Sequence, residues 1–229
     1  MTDLQKAKLP ENIILAPTEP IYAVLRRTGG VTGRDRRLGL FRHVLIPACG
    51  NRAALAGPAL GAPAAALLVE HLASSGVKRM LLLGVCGSLV PDLRIGDLFI
   101  PTGGISEEGT SRLYGEGEIP PPDPSLLNRI LKACHEEGAS PRQGLIWTTD
   151  APHRETPDKI ARFRGQEALA VDMEFTALSA VAGFHRIQFA ALMVVSDENF
   201  MKTHQSGFMQ KKFQGALNTS AKITTAVFL

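Results

Sequence analysis

The sequence predicts an α/β domain of three layers, in which a central mixed, mostly parallel sheet is flanked by helices. Short apolar segments alternate with helical patterns along the chain, as in proteins whose strands are joined by crossover helices. Residues 80–83 and 189–195 are apolar at every position, which is typical of strands covered on both faces. Neither a repeat nor a long linker divides the 229 residues, so we expect residues 1–229 to form a single domain.

Eight segments are predicted to be strands, because each is a short apolar run bounded by glycine, proline or polar residues. The longest, 187–195, ends at a Ser-Asp pair, which favours a strand over a buried helix of the same composition. The predicted strands are 12–16, 43–47, 52–56, 79–84, 97–101, 144–148, 168–172 and 187–195.

Five segments are predicted to be helices, at residues 62–75, 124–137, 157–166, 174–181 and 211–227. The first of them has Pro63 near its start, where proline costs no hydrogen bond, and ends at Gly76, a typical C-terminal cap. Residues 103–122 are rich in glycine, proline and glutamate and are predicted to be a long surface loop. Loops of that length are often functional.

Composition excludes several classes of protein. The 25 Lys and Arg against 22 Asp and Glu leave a net charge of +3, too small for a nucleic-acid surface. Cys49, Cys86 and Cys134 form no CxxC pair, so neither a zinc site nor a disulfide framework is expected, and a reducing compartment fits. The polar N-terminus lacks a secretory signal, and glycines and prolines interrupt the uncharged stretch 53–69. We therefore expect a soluble cytoplasmic protein.

No metal site is expected either, because the six histidines are scattered singly along the chain. Five of them are expected to be structural or surface residues: His43, His71, His135, His185 and His204.

Small residues and carboxylates follow several predicted strands. Because ligands of α/β sheets bind beyond the carboxyl ends of strands, these residues are candidates for one site. Gly84-x-x-Gly87 lacks the GxGxxG fingerprint of dinucleotide binding; its glycines either expose N–H groups to an anion or make a tight turn. Asp197 alone could be a helix cap, and Glu174 a first-turn acid. Their combination at one edge of the sheet favours function.

The same residues resemble motifs of the purine/uridine phosphorylase and nucleosidase superfamily. Residues 84–89, followed by 95–98, resemble its glycine turn and Gly-Asp strand. Residues 171–174 (Val-Asp-Met-Glu) resemble its Met-Glu ribose motif, and 194–197 (Val-Val-Ser-Asp) resemble its Ser-Asp base motif. Residues 57–69 and 109–114 match further segments. The resemblance runs in order from Pro17 to Asn199 and implies a nucleoside phosphorylase-like fold.

The resemblance implies cleavage of a nucleoside N-glycosidic bond. Glu174 would accept hydrogen bonds from the ribose 2′- and 3′-hydroxyls, and Met173 would pack beneath the sugar. Asp197 would protonate purine N7 as a general acid, which requires that burial raise its pKa. An Asp at this position accompanies purine substrates in the family. The other residues expected to bind substrate are Cys86, Gly87, Thr149, Ser196, His153 and Arg154, although the last two could equally be a surface pair.

The chain departs from the family at the phosphate ligands. Tyr22 and Leu82 stand where phosphorylases have arginines, and Val85 replaces a hydroxyl residue. A phosphate dianion without guanidinium partners is poorly held in a dry site. Other arginines could replace them, either from a neighbouring subunit or from this chain (Arg42, Arg52 and Arg112). Alternatively, water is the nucleophile, as in nucleosidases, and Glu19 is the nearest candidate to activate it.

The leading hypothesis is a nucleoside phosphorylase that uses phosphate as co-substrate, without a further cofactor, and releases free base and ribose 1-phosphate. A water-using nucleosidase and a non-catalytic nucleoside-binding homologue are the alternatives. The family resemblance also implies a homo-oligomer, because its sites are completed by a neighbouring subunit. All three hypotheses require that Glu174 and Asp197 face a common cavity beside Gly87.

Overall fold

The computed structural model describes residues 9–28, 36–38, 43–48, 52–115, 117–200 and 204–229, and these contain ten strands and six α-helices. The strands are β1 (Asn12–Leu15), β2 (Arg36–Leu38), β3 (His43–Ala48), β4 (Ala53–Gly57), β5 (Arg79–Ser88), β6 (Leu98–Ser106), β7 (Arg142–Thr148), β8 (Ala168–Asp172), β9 (Gln188–Glu198) and β10 (Gln205–Ser206). The helices are α1 (Glu19–Thr28), α2 (Ala62–Ala73), α3 (Pro124–Glu136), α4 (Pro157–Arg164), α5 (Phe175–Phe184) and α6 (Lys211–Ala226). Every predicted strand and helix is present, with shifted ends.

The strands form one mixed sheet in the order β10-β9-β6-β7-β8-β5-β1-β4-β3-β2. Because β9 also pairs with β5, the strands β5, β9, β6, β7 and β8 close into a ring. The two longest pairings, β5 with β9 and β6 with β7, are parallel, whereas β5–β8 and β6–β9 are short antiparallel contacts. The sheet is therefore mixed, as predicted.

Helices cover both faces of the sheet, which explains the uninterrupted apolar strands. Along β5, Met80 and Leu82 belong to the core shared with α2 and α5, while Leu81 and Leu83 belong to the core shared with α1, α3 and α6. Residues of β9 alternate between the same two cores. Successive strand side chains point to opposite faces, so only an all-apolar strand fits between two helix layers.

One local prediction is wrong, and one helix was not predicted. The predicted glycine turn lies inside β5, because that strand continues its pairing with β9 as far as Ser88. Helix α1 was not predicted from sequence, although Pro20 near its start and Arg26 and Arg27 in its last turn are helix signals. Tyr22, which stands where phosphorylases have an arginine, therefore lies on a helix.

The predicted surface loop at 103–122 is wrong in part, because β6 extends to Ser106 and a 3-10 helix, Ser111–Leu113, interrupts the irregular segment that follows. Glu108 is only 4% exposed and holds this segment. Its carboxylate accepts hydrogen bonds from the hydroxyls of Ser106 and Thr176 and from the backbone N–H of Ser111. Burial favours the neutral form of Glu108, whereas hydrogen bonds to its carboxylate favour the ionised form. The hydrogen bonds have the larger effect, so the pKa of Glu108 is lowered.

Two further observations concern the cysteines and the described helices. Cys86 and Cys134 are buried free thiols, and Cys49 lies outside the described residues. Among the described helices, none combines the length and the apolar content that a bilayer crossing requires.

Candidate functional site

A cavity of about 290 Å³ lies beside the carboxyl ends of β5, β8 and β9. Glu174 and Asp197 both line it, together with Gly87, so the common cavity that the sequence predicts is present. Three other predicted site residues also line it: Cys86, Met173 and Ser196. The structure therefore brings six of the predicted residues to one surface.

Asp172 fixes the position of Glu174. At the end of β8, its Oδ2 accepts hydrogen bonds from the backbone N–H of Glu174 (3.1 Å) and Phe175 (2.7 Å), the start of α5. The Thr148 hydroxyl donates to Asp172 Oδ1 at 2.6 Å. Glu174 is also held from the start of α2, where the Gly61 N–H donates a hydrogen bond to Glu174 Oε1 at 2.6 Å. One carboxylate oxygen of Glu174 is thus anchored, and the side chain borders the cavity.

Burial raises the pKa of Glu174, and the neighbouring charge of Asp172 raises it further, while the N–H groups of Gly61 and Met173 act in the opposite direction. Burial also raises the pKa of Asp172. The two acids share one small buried region, and ionising both there is unfavourable. A ligand that donates hydrogen bonds to Glu174 would favour its ionised form.

An irregularity in the pairing of β5 with β9 directs Asp197 into the cavity. Cys86 pairs with Val195, and the next residue, Gly87, pairs with Asp197, so Ser196 is the extra residue on β9. Such a bulge breaks the alternation of side chains and re-aims the residue beside it. The Ser196 hydroxyl then lies 2.6 Å from Asp197 Oδ1 and 3.2 Å from the Cys86 carbonyl oxygen.

Gly87 allows Asp197 to approach the backbone. A Cβ atom at this position would lie 2.7 Å from Asp197 Oδ2 and 2.6 Å from Asn199 Nδ2. Both separations are shorter than real Cβ contacts. The glycine is required by close packing within the strand and not by a turn.

Glu155 is a fourth acid of the cavity, and sequence reasoning missed it. Asn199 Nδ2 donates to its Oε2 at 2.7 Å. Burial raises the pKa of Glu155 to about 7, the charges of Asp197 and Glu107 add to the rise, and Lys159 opposes it. Burial similarly raises the pKa of the Cys86 thiol. Among the described lining residues, none is Arg or Lys, and His204 is the one basic side chain.

Three predicted site residues lie outside the lining. Thr149 is buried, and its hydroxyl donates to Glu107 Oε2 at 3.0 Å. His153 and Arg154 are exposed on the 3-10 helix Pro152–Arg154, which turns them outward. The flanking residues Pro152 and Glu155 line the cavity in their place.

The structure also shows where the residues that replace the family's phosphate ligands lie. Tyr22 is buried in the core on α1, and Leu82 is buried in the core on β5, whereas Val85 lines the cavity. Arg52 and Arg112 are exposed and lie outside the lining, as does Glu19. Arg42 lies outside the described residues.

Two residues of the segment after β9 were also missed. His204 and Phe208 line the cavity, because β10 pairs antiparallel with the end of β9. A strand of two residues shows no periodicity in sequence, so no pattern pointed to it.

The raised pKa of Glu174 predicts how stability depends on pH. Its pKa is about 8 in the folded protein, against an ordinary value of 4.5. Between these values the folded state holds a proton that the unfolded state has released, so this residue makes the free energy of unfolding fall as pH rises. We expect Glu174→Gln to reduce the loss of stability between pH 5 and pH 8 in urea unfolding. An unchanged pH dependence would contradict this prediction.

Comparisons with known proteins are consistent with this geometry. The family model of the phosphorylase superfamily matches residues 13–228. Guanosine phosphorylase of Halorubrum lacusprofundi is 32% identical over 149 residues, which are 65% of this chain and 61% of that protein. A DeoD-type purine nucleoside phosphorylase of Bacillus cereus is 30% identical over 154 residues, 66% of each chain. These matches span less than two thirds of either relative's length.

The fold itself matches over nearly the whole chain. The crystal structure of purine nucleoside phosphorylase from Toxoplasma gondii, in complex with immucillin-H, has a TM-score of 0.84. The match covers 97% of this chain and 91% of that chain, at 18% sequence identity. The predicted mixed sheet flanked by helices is therefore confirmed.

Proposed function

Because the chain belongs to the phosphorylase superfamily, we propose that it cleaves the N-glycosidic bond of a purine nucleoside with phosphate, yielding free base and ribose 1-phosphate. The membership confirms the resemblance inferred from the motifs. The observation that carries the proposal is that Glu174, at the start of α5, and Asp197, on β9, line one cavity. Cleavage of this bond needs a hold on the sugar and a proton for the base, and these two acids supply them.

Glu174 is proposed to hold the ribose. Its Oε1 accepts a hydrogen bond from the Gly61 N–H. The remaining acceptor sites of the carboxylate are available to the ribose 2′- and 3′-hydroxyls. Hydrogen bonds to a charged acceptor contribute about 1.5–3 kcal/mol each. Positive charge develops on the sugar as the bond breaks, and a nearby carboxylate stabilises it. Met173 lines the same cavity and packs against the sugar with a flexible apolar side chain.

Asp197 is proposed to be the general acid for the base. As the bond between C1′ and N9 breaks, its electron pair moves into the purine, and a protonated Asp197 donates its proton to N7. Positioned acids of this kind contribute about 10²–10⁴ in rate. Phosphate then forms the new bond to C1′ from the opposite face. The reaction needs no cofactor beyond phosphate.

Hydrolysis is the second candidate, and one observation favours it. The described lining carries Glu155, Asp172, Glu174 and Asp197 but neither Arg nor Lys. Such a lining attracts a phosphate dianion poorly and accepts water more readily. In the phosphorylase proposal, a neighbouring subunit supplies the cation.

The test is turnover of guanosine, inosine and adenosine by the purified protein, with and without phosphate. Phosphate-dependent release of base together with ribose 1-phosphate supports the proposal. Release of ribose at a rate that phosphate does not change rejects phosphorolysis in favour of hydrolysis. Nucleoside binding without turnover in either buffer identifies a binding protein instead.

A substitution at Gly87 tests the geometry of the acid. We expect Gly87→Ala to lower kcat by roughly 10²-fold, the effect of displacing a reacting group by about 1 Å, because the new Cβ would lie only 2.7 Å from Asp197 Oδ2 and force the carboxylate to move. Steady-state kinetics measure the change. Gly215→Ala is the control, since a Cβ there meets nothing within 4 Å. Normal turnover by Gly87→Ala would contradict the role of this close approach.

The compartment, the oligomeric state and the binding partners are also part of the proposal. Buried free thiols at Cys86 and Cys134 suit a reducing cytoplasm. Exposed apolar side chains at Leu113 and Phe184 suit a homo-oligomeric single-domain enzyme. The small net charge suits small-molecule substrates, with neither nucleic acid nor membrane as partner.

A further inference from the structure

His204 is in direct contact with the carboxylate of Asp197. Its Nε2 lies 3.2 Å from Asp197 Oδ2. The His204 side chain is 61% exposed and that of Asp197 is 16% exposed. The imidazole is therefore open to bulk water and also contacts an acid that is mostly shielded from water.

The position of His204 is set by backbone pairing. Directly after it, β10 pairs with β9, with Gln205 opposite Glu198 and Ser206 opposite Asp197. The Gly207 N–H then donates to the Ser196 carbonyl at 2.7 Å. These backbone hydrogen bonds join β10 to β9 beside Asp197. The pairing of the two strands therefore positions His204 against the Asp197 carboxylate.

The hydrogen bonds around Asp197 fit both of its protonation states. Ser196 has one hydroxyl proton and two nearby acceptors, Asp197 Oδ1 and the Cys86 carbonyl. When Asp197 is protonated, it can donate to Ser196 Oγ while Ser196 donates to the carbonyl. When Asp197 is ionised, the Ser196 hydroxyl can turn and donate to it instead. Asp197 therefore keeps a hydrogen bond to Ser196 in both protonation states.

We propose that His204 delivers to Asp197 the proton that Asp197 passes to the departing base. This inference rests on the proposed function. Asp197 gives its proton to N7 as the C1′–N9 bond breaks and becomes a carboxylate. The His204 imidazolium then transfers its Nε2 proton to Asp197 Oδ2, and the neutral imidazole takes a proton from water. The proton that leaves on the base comes from solvent, and hydrogen phosphate returns one to solvent as it becomes ribose 1-phosphate, so a complete turnover consumes no net proton.

The other titratable groups facing this pair in the described residues are acids. Glu155 and the Cys86 thiol interact electrostatically with Asp197 from the segment before α4 and from β5. Glu155 accepts its hydrogen bond from Asn199, whereas His204 Nε2 lies 3.2 Å from the Asp197 carboxylate itself. His204 is thus the basic group available to Asp197 from the described lining. It acts through Asp197 and is a positioning and proton-delivery residue.

The test compares two nucleosides that differ in their need for a proton. Guanosine needs protonation at N7, whereas 7-methylguanosine already carries a positive imidazole ring and leaves without it. We expect His204→Gln to lower kcat on guanosine at least roughly tenfold, part of the ~10²–10⁴ of a positioned acid, and to leave kcat on 7-methylguanosine unchanged. In His204→Ala, added imidazole should restore part of the guanosine activity. His135→Gln, on the exposed side of α3, is the matched control.

Each outcome is decisive. Equal losses on the two nucleosides would make His204 a structural residue, and an undiminished rate on guanosine would remove its role; either result overturns the inference while the proposed function stands. If the unmodified protein cleaves neither nucleoside, the proposed function fails and the inference fails with it.

Discussion

Glu174→Gln is expected to lower kcat/KM for a purine nucleoside by at least roughly 10²-fold, because two charge-assisted hydrogen bonds to the ribose, each about 1.5–3 kcal/mol, lose their charge. The substituted amide can still accept the Gly61 N–H that now reaches Glu174 Oε1, so the start of α5 should keep its position. Steady-state kinetics with the nucleoside, together with its dissociation constant from calorimetry, measure the effect.

A surface substitution of the same kind separates this effect from a general loss of carboxylates. Glu136→Gln, in the last turn of α3, changes an exposed acid far from the lining residues and is expected to leave kcat/KM unchanged. A Glu174→Gln protein with normal kinetics would refute the ribose-binding role. A 2′,3′-dideoxynucleoside, which lacks both hydroxyls, should be an equally poor substrate for both forms of the enzyme.

Asp197→Asn is expected to lower kcat by about 10²–10⁴ while nucleoside affinity changes little, because the amide cannot supply the proton that the departing base takes up. The amide still fills the space beneath Gly87, where a Cβ atom would lie only 2.7 Å from Asp197 Oδ2. Single-turnover measurements of base release, with nucleoside in excess of its dissociation constant, isolate this step.

Asp158→Asn, in the exposed first turn of α4, is the matched control and should retain wild-type turnover. Were Asp197→Asn to release base as fast as the unmodified enzyme, Asp197 could not be the general acid. Weaker nucleoside binding with unchanged kcat would instead assign the side chain to recognition of the base.

The main site residues were predictable because each follows a strand with a clear pattern. The apolar run of β9 is followed by Ser196-Asp197, and β8 ends at Asp172, two residues before Glu174. Strand β9 runs parallel to β5, and the end of β8 meets the end of β5 in a short antiparallel contact, so the motifs lie at one edge of the sheet. Strand burial together with the family motifs predicted the shared cavity.

The parts that could not be predicted depend on pairing between distant segments. The extra residue Ser196 on β9 is defined only by the register of that strand against β5. His204 is positioned by a two-residue strand, and Glu155 by a turn after the 3-10 helix. Thr149 follows β7 as expected, but its hydroxyl is occupied by Glu107. Such details arise from tertiary contacts that local patterns do not encode.

The bond from Gly61 to Glu174 joins the beginnings of two helices, because Gly61 caps α2 and Glu174 caps α5. The same two helices pack against each other through small and aliphatic side chains such as Ala65 and Leu178. The carboxylate proposed to bind the ribose therefore moves with any change in the spacing of that helix pair. We accordingly expect substitutions in the hydrophobic layer between these helices to alter substrate preference, although they lie many residues away from the proposed nucleoside contacts.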